Sequence, residues 1–215
     1  MSLPPAPERP EPAPLPGPRP PWRRGLPPVE DAVLRPRPPD ADAPARPRRA
    51  TWRFMFSHPA HPIALGFGCG LAPWAPGTVG TLWAWLMFLL FRPDLSDLGA
   101  GLVIGAAALL GWWASTVTAR ALRSGDPGCI VIDEIVAFWL VLWLVTPAGL
   151  GAQAVAFVLF RWFDAAKPGP VAWADRFFEG RRGEAPGWPQ GFGVMFDDLV
   201  AAGCTLLAIA LWRWW

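Results

Sequence analysis

Five segments after residue 77 are apolar on most of their sides, and they constrain the fold more than any other feature of the chain. They comprise residues 78–91, 99–117, 130–146, 150–163 and 194–215. A helix that is apolar all round is buried in lipid or in a large protein core. Because a chain of 215 residues cannot hide five such helices from water, the sequence predicts an all-α helical bundle that is embedded in a membrane.

The length of each segment limits how many of the helices can cross a bilayer. A crossing helix needs about 20 apolar residues, with a range of about 17–25. The segments 78–91 and 150–163 have only 14 residues each, so we expect them to be re-entrant, half-buried or packed inside the bundle. The sequence therefore predicts about four or five membrane-embedded helices.

The first 50 residues differ in composition from the rest of the chain. They contain 17 of the 28 prolines and few large apolar residues. Proline lacks a backbone donor and interrupts helices, so a segment of this kind cannot build a core. We expect a disordered, proline-rich tail over residues 1–50 and a membrane helical domain over residues 57–215.

Charge and cysteine content exclude several classes of protein. The net charge is only +2 and no basic stripe alternates with aromatic residues, so we expect no nucleic-acid partner. The 3 cysteines are widely spaced and form no CxxC pair, which argues against a disulfide framework and a zinc site. No CxxxxxR motif is present, which excludes a cysteine phosphatase.

The positions of the basic residues predict a topology. If each segment crosses the membrane once and the basic tail is cytoplasmic, the loops 120–129 and 164–193 are also cytoplasmic. Every Lys and Arg then lies on or at the border of the cytoplasmic side, except Arg92 and Arg213. The charges therefore agree with a multi-pass protein whose polar loops gather at the cytoplasmic face.

Acidic residues lie at the ends of the segments on this same side. They are Asp133, Glu134, Asp164, Asp197 and Asp198. Removing carboxylates from water is costly without a partner, so a group of them needs a cation or a basic side chain. Oxygen ligands without imidazole or thiolate favour Mg²⁺. The predicted ligands are the two adjacent pairs, Asp133 with Glu134 and Asp197 with Asp198.

Two further motifs suit a phosphate group. Arg161, Asp164 and Lys167 are spaced at i, i+3 and i+6, so they share one helix face and bring two cations together. The glycine-rich stretch 66–80 leads into a helix near Thr78, and the free N–H groups of a helix N-terminus bind anions. Simpler interpretations stay open for each motif alone: acids at helix N-termini complement the helix dipole, and a glycine-rich loop allows close packing.

Four blocks of sequence together resemble the phosphatidylglycerophosphatase A family. They are GFGCGLAPWAPGTVGTL (66–82), GCIVIDEIVAFW (128–139), FVLFRWFDAAKPGPVAWADR (157–176) and GFGVMFDDLVAA (191–202). The blocks occur in the family's order, whereas the proline-rich tail has no counterpart in the family pattern. The loop 178–190 is also longer than usual for the family.

The resemblance implies a Mg²⁺-dependent lipid phosphatase that converts phosphatidylglycerophosphate to phosphatidylglycerol and phosphate in the bacterial inner membrane. It also implies an all-helical bundle, and the topology predicted from the charges puts the active site at the cytoplasmic face. The residues on motif positions are Thr78, Asp133, Glu134, Arg161, Asp164, Lys167, Asp197 and Asp198.

We expect the two acidic pairs to hold one or two Mg²⁺ ions and Arg161 and Lys167 to bind the phosphoryl group, with Thr78 at the anion site. Asp164 is either a further ligand or the base, and the nucleophile is water or a carboxylate. One alternative is a small membrane transporter or channel that uses interfacial carboxylates. A CDP-alcohol phosphotransferase is a second alternative, but its D-x2-D-G-x2-A-R motif is missing. The sequence does not specify an oligomeric state.

Overall fold

The computed structural model describes residues 49–124, 127–179 and 187–214. Within these ranges every regular element is a helix, which confirms the predicted all-α class. The predicted tail, apart from its last two residues, lies outside the described part of the chain.

Two short helices precede six longer ones. The short helices are α1 (Trp52–Met55) and α2 (Ala60–Ala64), and a 3₁₀ turn over Gly66–Leu71 follows them. The longer helices are α3 (Pro76–Phe91), α4 (Asp97–Leu122), α5 (Ile132–Val145), α6 (Leu150–Ala166), α7 (Pro170–Glu179) and α8 (Trp188–Trp214). Each of the five apolar segments falls mainly within one of these longer helices.

Local sequence signals explain several helix ends. The Ser96 hydroxyl accepts a hydrogen bond from the Gly99 N–H at 3.1 Å, so α4 begins with a capped first turn. Pro76 occupies the first turn of α3, where its missing N–H has no cost. The helix α6 ends where Lys167 adopts a left-handed φ of 45°, directly before Pro168.

Two expectations about the helices are corrected. The predicted loop 164–193 contains α7, because Val171 and Ala174 lie one turn apart and bury an apolar face against α8. Asp197 and Asp198 do not lie at the start of the last helix. That helix begins at Trp188, so the two acids lie well inside it.

The centre of the bundle is α5, which packs against α3, α4, α6 and α8. Its residues Val136, Phe138 and Val141 are fully or almost fully buried. The Phe138 ring contacts Phe157 and Phe160 of α6 at centroid distances of 5.7 and 5.5 Å. The apolar character of α5 is therefore explained by burial among the other helices, and it would be the same in water and in lipid.

Two of the described helices are long and apolar enough to cross a membrane. They are α4 and α8, by length and composition. Much of their surface faces outwards: Leu109 is 67% exposed on α4 and Leu207 is 61% exposed on α8. Exposed leucines on a long helix are compatible with a lipid environment. The larger number of four or five embedded helices stays a prediction.

The contact between α4 and α8 depends on a glycine. A Cβ added at Gly191 would lie 2.9 Å from Thr116 Cβ and 3.0 Å from Thr116 Cα, and would overlap the Thr116 hydroxyl. That hydroxyl donates a hydrogen bond to the Trp112 carbonyl at 2.8 Å, so it cannot rotate away without losing this bond. The N-terminal part of α8 can therefore approach α4 only without a side chain at this position.

We expect Gly191→Ala to lower the free energy of unfolding by about 1–3 kcal/mol, because the new methyl group overpacks the helix interface. Gly203→Ala is the matched control, since it lies in the same helix and an added Cβ there meets nothing within 4 Å. This control should raise stability by up to about 1 kcal/mol, through helix propensity alone. Denaturant unfolding in detergent, followed by circular dichroism, measures both. Equal stability of Gly191→Ala and the wild type would contradict the proposed packing constraint.

Candidate metal and phosphate site

Three carboxyl groups from two helices meet inside the bundle. Asp133 and Glu134 lie in the first turn of α5, and Asp198 lies within α8. One carboxylate oxygen of each residue lies within 4.8 Å of the others. Asp133 and Asp198 are only 8% and 4% exposed, so water does little to screen their charges. The contact of α5 with α8 brings together residues that lie far apart in the chain.

The helix dipole accounts for only part of this arrangement. At the start of α5, the Asp133 carboxylate accepts a hydrogen bond from the Glu134 N–H at 3.0 Å, as expected for an acid in a first turn. Asp198 lies ten residues into α8, too far from that helix's N-terminus to gain from its dipole. The Glu134 Oε2 atom is buried and has no hydrogen-bond partner among the described residues. The cluster therefore holds more negative charge than the local backbone stabilises.

A basic side chain from α6 joins the acids. The Arg161 guanidinium forms an ion pair with Asp164, one turn further along α6, and lies 3.8 Å from Glu134 Oε1. Asp164 also lies near Asp198. The cluster thus contains four carboxyl groups and one guanidinium, which contacts Asp164 and Glu134. This imbalance in charge favours a bound cation.

The N-terminus of α3 closes one side of the cluster. A Cβ added at Gly77 would overlap Glu134 Oε1 and lie 3.2 Å from Arg161 Nη1. Glycine is therefore required at this position if the first turn of α3 is to approach the acids. Thr78 follows directly and is half-buried in the same turn. The predicted anion site at this helix start thus lies beside the acidic cluster.

Lys167 and Asp197 belong to a second, adjoining ion-pair cluster. The Lys167 Nζ atom donates to Asp197 at 2.7 Å and to Asp175 at 2.9 Å. Burial disfavours the ammonium, but the hydrogen bonds to Asp197 and Asp175 outweigh burial and raise the pKa of Lys167 above its usual value. Lys167 is therefore a permanent cation, and Asp197 neutralises it in this structure.

Three of the four predicted metal ligands lie close together in the structure. Asp133, Glu134 and Asp198 form a possible metal-binding group, while Asp197 forms an ion pair with Lys167, and its role as a ligand stays a prediction. Asp175 was not among the predicted site residues. It lies on α7, where it forms an ion pair with Lys167. Predicting this contact from the sequence would have required predicting the helix α7.

Comparison with known proteins identifies similar sequences. A family model described as Phosphatidylglycerophosphatase A matches residues 62–213. The Phosphatidylglycerophosphatase A of Escherichia coli (strain K12) is 34% identical over 152 residues, which cover 69% of this chain and 80% of the relative. The protein of the same name from Haemophilus influenzae is 33% identical over 161 residues, which cover 74% of this chain and 91% of the relative.

A third relative carries a different name. A protein of Bacteroides thetaiotaomicron, described as a candidate phosphatidylinositol-3-phosphatase, is 36% identical over 159 residues. The match covers 71% of this chain and 92% of the relative. No solved structure matches the chain. The stretch matched by the family model includes both the acidic cluster and the Lys167 cluster.

The acidic cluster generates a prediction about divalent ions. We expect Mg²⁺ to stabilise the wild-type protein by about 1.4 kcal/mol at an ion concentration ten times the dissociation constant. Asp198→Asn should lose this response, because one of the three carboxylates is gone. Without Mg²⁺ the same variant should be at least as stable as the wild type, because the substitution relieves repulsion between buried charges. Thermal unfolding of the purified protein, with Mg²⁺ or with a chelator, measures both effects. An equal response in the two proteins would refute a metal site here.

Proposed function

The chain belongs to the phosphatidylglycerophosphatase A family, and on this premise we propose that it is a Mg²⁺-dependent lipid phosphatase. The proposed reaction is hydrolysis of phosphatidylglycerophosphate to phosphatidylglycerol and inorganic phosphate. The single observation that carries the proposal is the meeting of Asp133, Glu134 and Asp198 beside Arg161. Ligands for a metal and a cation for a phosphate thus lie side by side.

The donor set fits a magnesium ion. Mg²⁺ is commonly held by one or two carboxylates together with water and substrate phosphate oxygens. Asp133, Glu134 and Asp198 supply carboxylate oxygens, and the partnerless Glu134 Oε2 is available as a ligand. When bound, such an ion supplies Lewis acidity that neutralises charge on the phosphate oxygens. Asp197 is proposed as a positioning residue instead, because it holds Lys167.

The other residues then have distinct roles. Arg161 offers a planar guanidinium that can bind two phosphoryl oxygens at once. The first turn of α3, with Thr78, supplies N–H groups and a hydroxyl to the same phosphate. Lys167 lies beside this site, because its partner Asp197 adjoins Asp198 in the chain. In the proposed complex it exchanges one of its two carboxylate partners for the second phosphate of the headgroup, the diester that joins the two glycerols.

Asp164 is the proposed general base. It pairs with Arg161 and lies near Asp198 but is outside the group of three proposed ligands. In the reaction, the oxygen of an attacking water bonds to phosphorus while the bond from phosphorus to the glycerol oxygen breaks. Asp164 accepts a proton from the water and then donates it to the departing glycerol oxygen, so its own carboxylate is regenerated. With no histidine in the cluster, carboxylates perform the acid–base chemistry.

The proposed place of action is the cytoplasmic face of the bacterial inner membrane. The helices α4 and α8 are suited to a bilayer, and α7 bears the exposed aromatic residues Trp173 and Phe177 near the Lys167 cluster. Aromatic side chains favour the membrane–water interface, where the headgroup of a lipid substrate is found. The acyl chains can then stay in lipid while the phosphate enters the site. Family membership favours this reading over a transporter or channel.

We expect Asp133→Asn and Asp198→Asn each to reduce Mg²⁺-dependent phosphate release more than about 100-fold, since changes to outer-shell partners alone cost about 10–100-fold. Asp94→Asn is the matched control, because Asp94 is exposed in the turn after α3 and takes no part in the site. Release of phosphate from phosphatidylglycerophosphate in mixed micelles, with Mg²⁺ or chelator, provides the measurement. Wild-type turnover in both variants would overturn the assigned site.

The identity of the lipid headgroup is tested separately. Because two relatives are named for phosphatidylglycerophosphate and one for a phosphoinositide, both lipids serve as substrates in the same assay. We expect a kcat/KM for phosphatidylglycerophosphate at least tenfold higher than for phosphatidylinositol 3-phosphate (about 1.4 kcal/mol in the transition state). The reverse preference would keep the phosphatase chemistry and reject the proposed substrate.

A further inference from the structure

A large apolar groove lies at the end of α6 and α8 that is remote from the acidic cluster. Its volume is about 730 Å³, within the range of about 300–1,000 Å³ typical of sites for small molecules. Most of its lining comes from α6, from α8 and from the connection between α5 and α6. Aliphatic side chains such as Val155, Leu159 and Ile209 form the walls. An apolar chain is therefore the natural occupant.

One charged side chain lies at this groove. Arg213 is exposed and contributes to its lining, together with the indole of Trp212. Asp198 and Arg213 are 15 residues apart on α8, or about 22 Å along the helix. The groove is therefore separate from the proposed catalytic site and belongs to the opposite end of the bundle.

Arg213 differs from the other arginine that the predicted topology puts on the outer side. Arg92 donates to Asp97 at 2.6 Å and to the Leu95 carbonyl at 2.8 Å, so its charge is balanced within the protein. Arg213 forms no ion pair with any residue in the described ranges. A cation beside an apolar groove thus lacks a counter-charge among the residues that the structure describes.

We propose that this groove binds an anionic phospholipid, with one acyl chain between α6 and α8 and the phosphate against Arg213. A guanidinium forms strong, often bidentate hydrogen bonds with a phosphate, and Trp212 suits the region just below the headgroups. A zwitterionic lipid is less favoured, because its own ammonium group competes for the phosphate. The inference rests on the membrane location in the proposed function but not on the hydrolytic reaction.

The test uses the purified full-length protein in detergent and two probes, dioleoyl phosphatidylmethanol, which is anionic and is neither substrate nor product of the proposed reaction, and dioleoyl phosphatidylcholine. Native mass spectrometry measures how much of each lipid is bound at increasing lipid concentration. We expect the wild type to bind the anionic lipid about tenfold more tightly than the zwitterionic lipid, because the hydrogen bond from Arg213 to the lipid phosphate is charge-assisted. Arg213→Gln should remove this preference, while Arg123→Gln, an exposed arginine at the end of α4, should retain it.

A second variant tests the apolar part of the site. Ala152→Trp places a large side chain in the groove and should weaken binding of both lipids. An unchanged preference in Arg213→Gln would overturn the proposal, and so would a wild-type dimer that Ala152→Trp dissociates, because a second copy would then fill the groove.

Phosphate release is measured on the same samples. Arg213→Gln should keep wild-type turnover, because the groove lies far from the acidic cluster. If no sample releases phosphate but lipid preference still depends on Arg213, the proposed function fails and the lipid site stands. If turnover is normal but lipid preference does not depend on Arg213, only the lipid site fails.

Discussion

Mutual repulsion among buried carboxyl groups is the constraint on which the rest of the structure depends. Asp133, Glu134 and Asp198 bring their oxygens within 4.8 Å of one another inside a bundle that excludes most water. Burial of like charges opposes folding. The arrangement therefore requires that the surrounding apolar contacts be strong enough to hold the helices together, with Arg161 offsetting part of the charge. A protein that tolerates such a cost at one place commonly uses that place for chemistry.

The central helix α5 explains how this cost is met. Its first turn carries two of the acids, and the rest of it is surrounded by α3, α4, α6 and α8. Side chains such as Phe138 and Leu142 fill the middle of the bundle and fix the position of that first turn. Glycines at the contacts do the same for neighbouring helices: Gly77 lets α3 reach Glu134, and Gly191 lets α8 reach Thr116. The site is thus held by packing along the full length of the helices.

The two ends of the bundle have opposite chemical character. The clustered acids Asp133, Glu134 and Asp198 and their basic partners lie at one end, while the other offers an apolar groove that Arg213 lines. In a bilayer this asymmetry would present a polar reaction site to one face and a lipid-binding surface to the other. The amphipathic helix α7 lies at the reactive end, where Asp175 faces Lys167 and Trp173 faces outwards. The helix α7 therefore carries both a residue of the Lys167 ion pair and the exposed aromatic surface from which a lipid headgroup would approach.

The sequence alone determined the helical class and the positions of the apolar segments, because hydrophobic pattern and proline content act locally. It also singled out the acids that lie together in the structure, since charge at the ends of apolar segments is costly wherever those segments pack. It could not assign partners, and it missed α7 and the true start of α8. Whether Asp197 meets a metal or Lys167 depends on its direction around α8, which only the packing of α6 and α7 against that helix sets. Adjacent residues on a helix point about 100° apart, so tertiary contacts alone could separate Asp198, in the acidic cluster, from Asp197, in the ion pair.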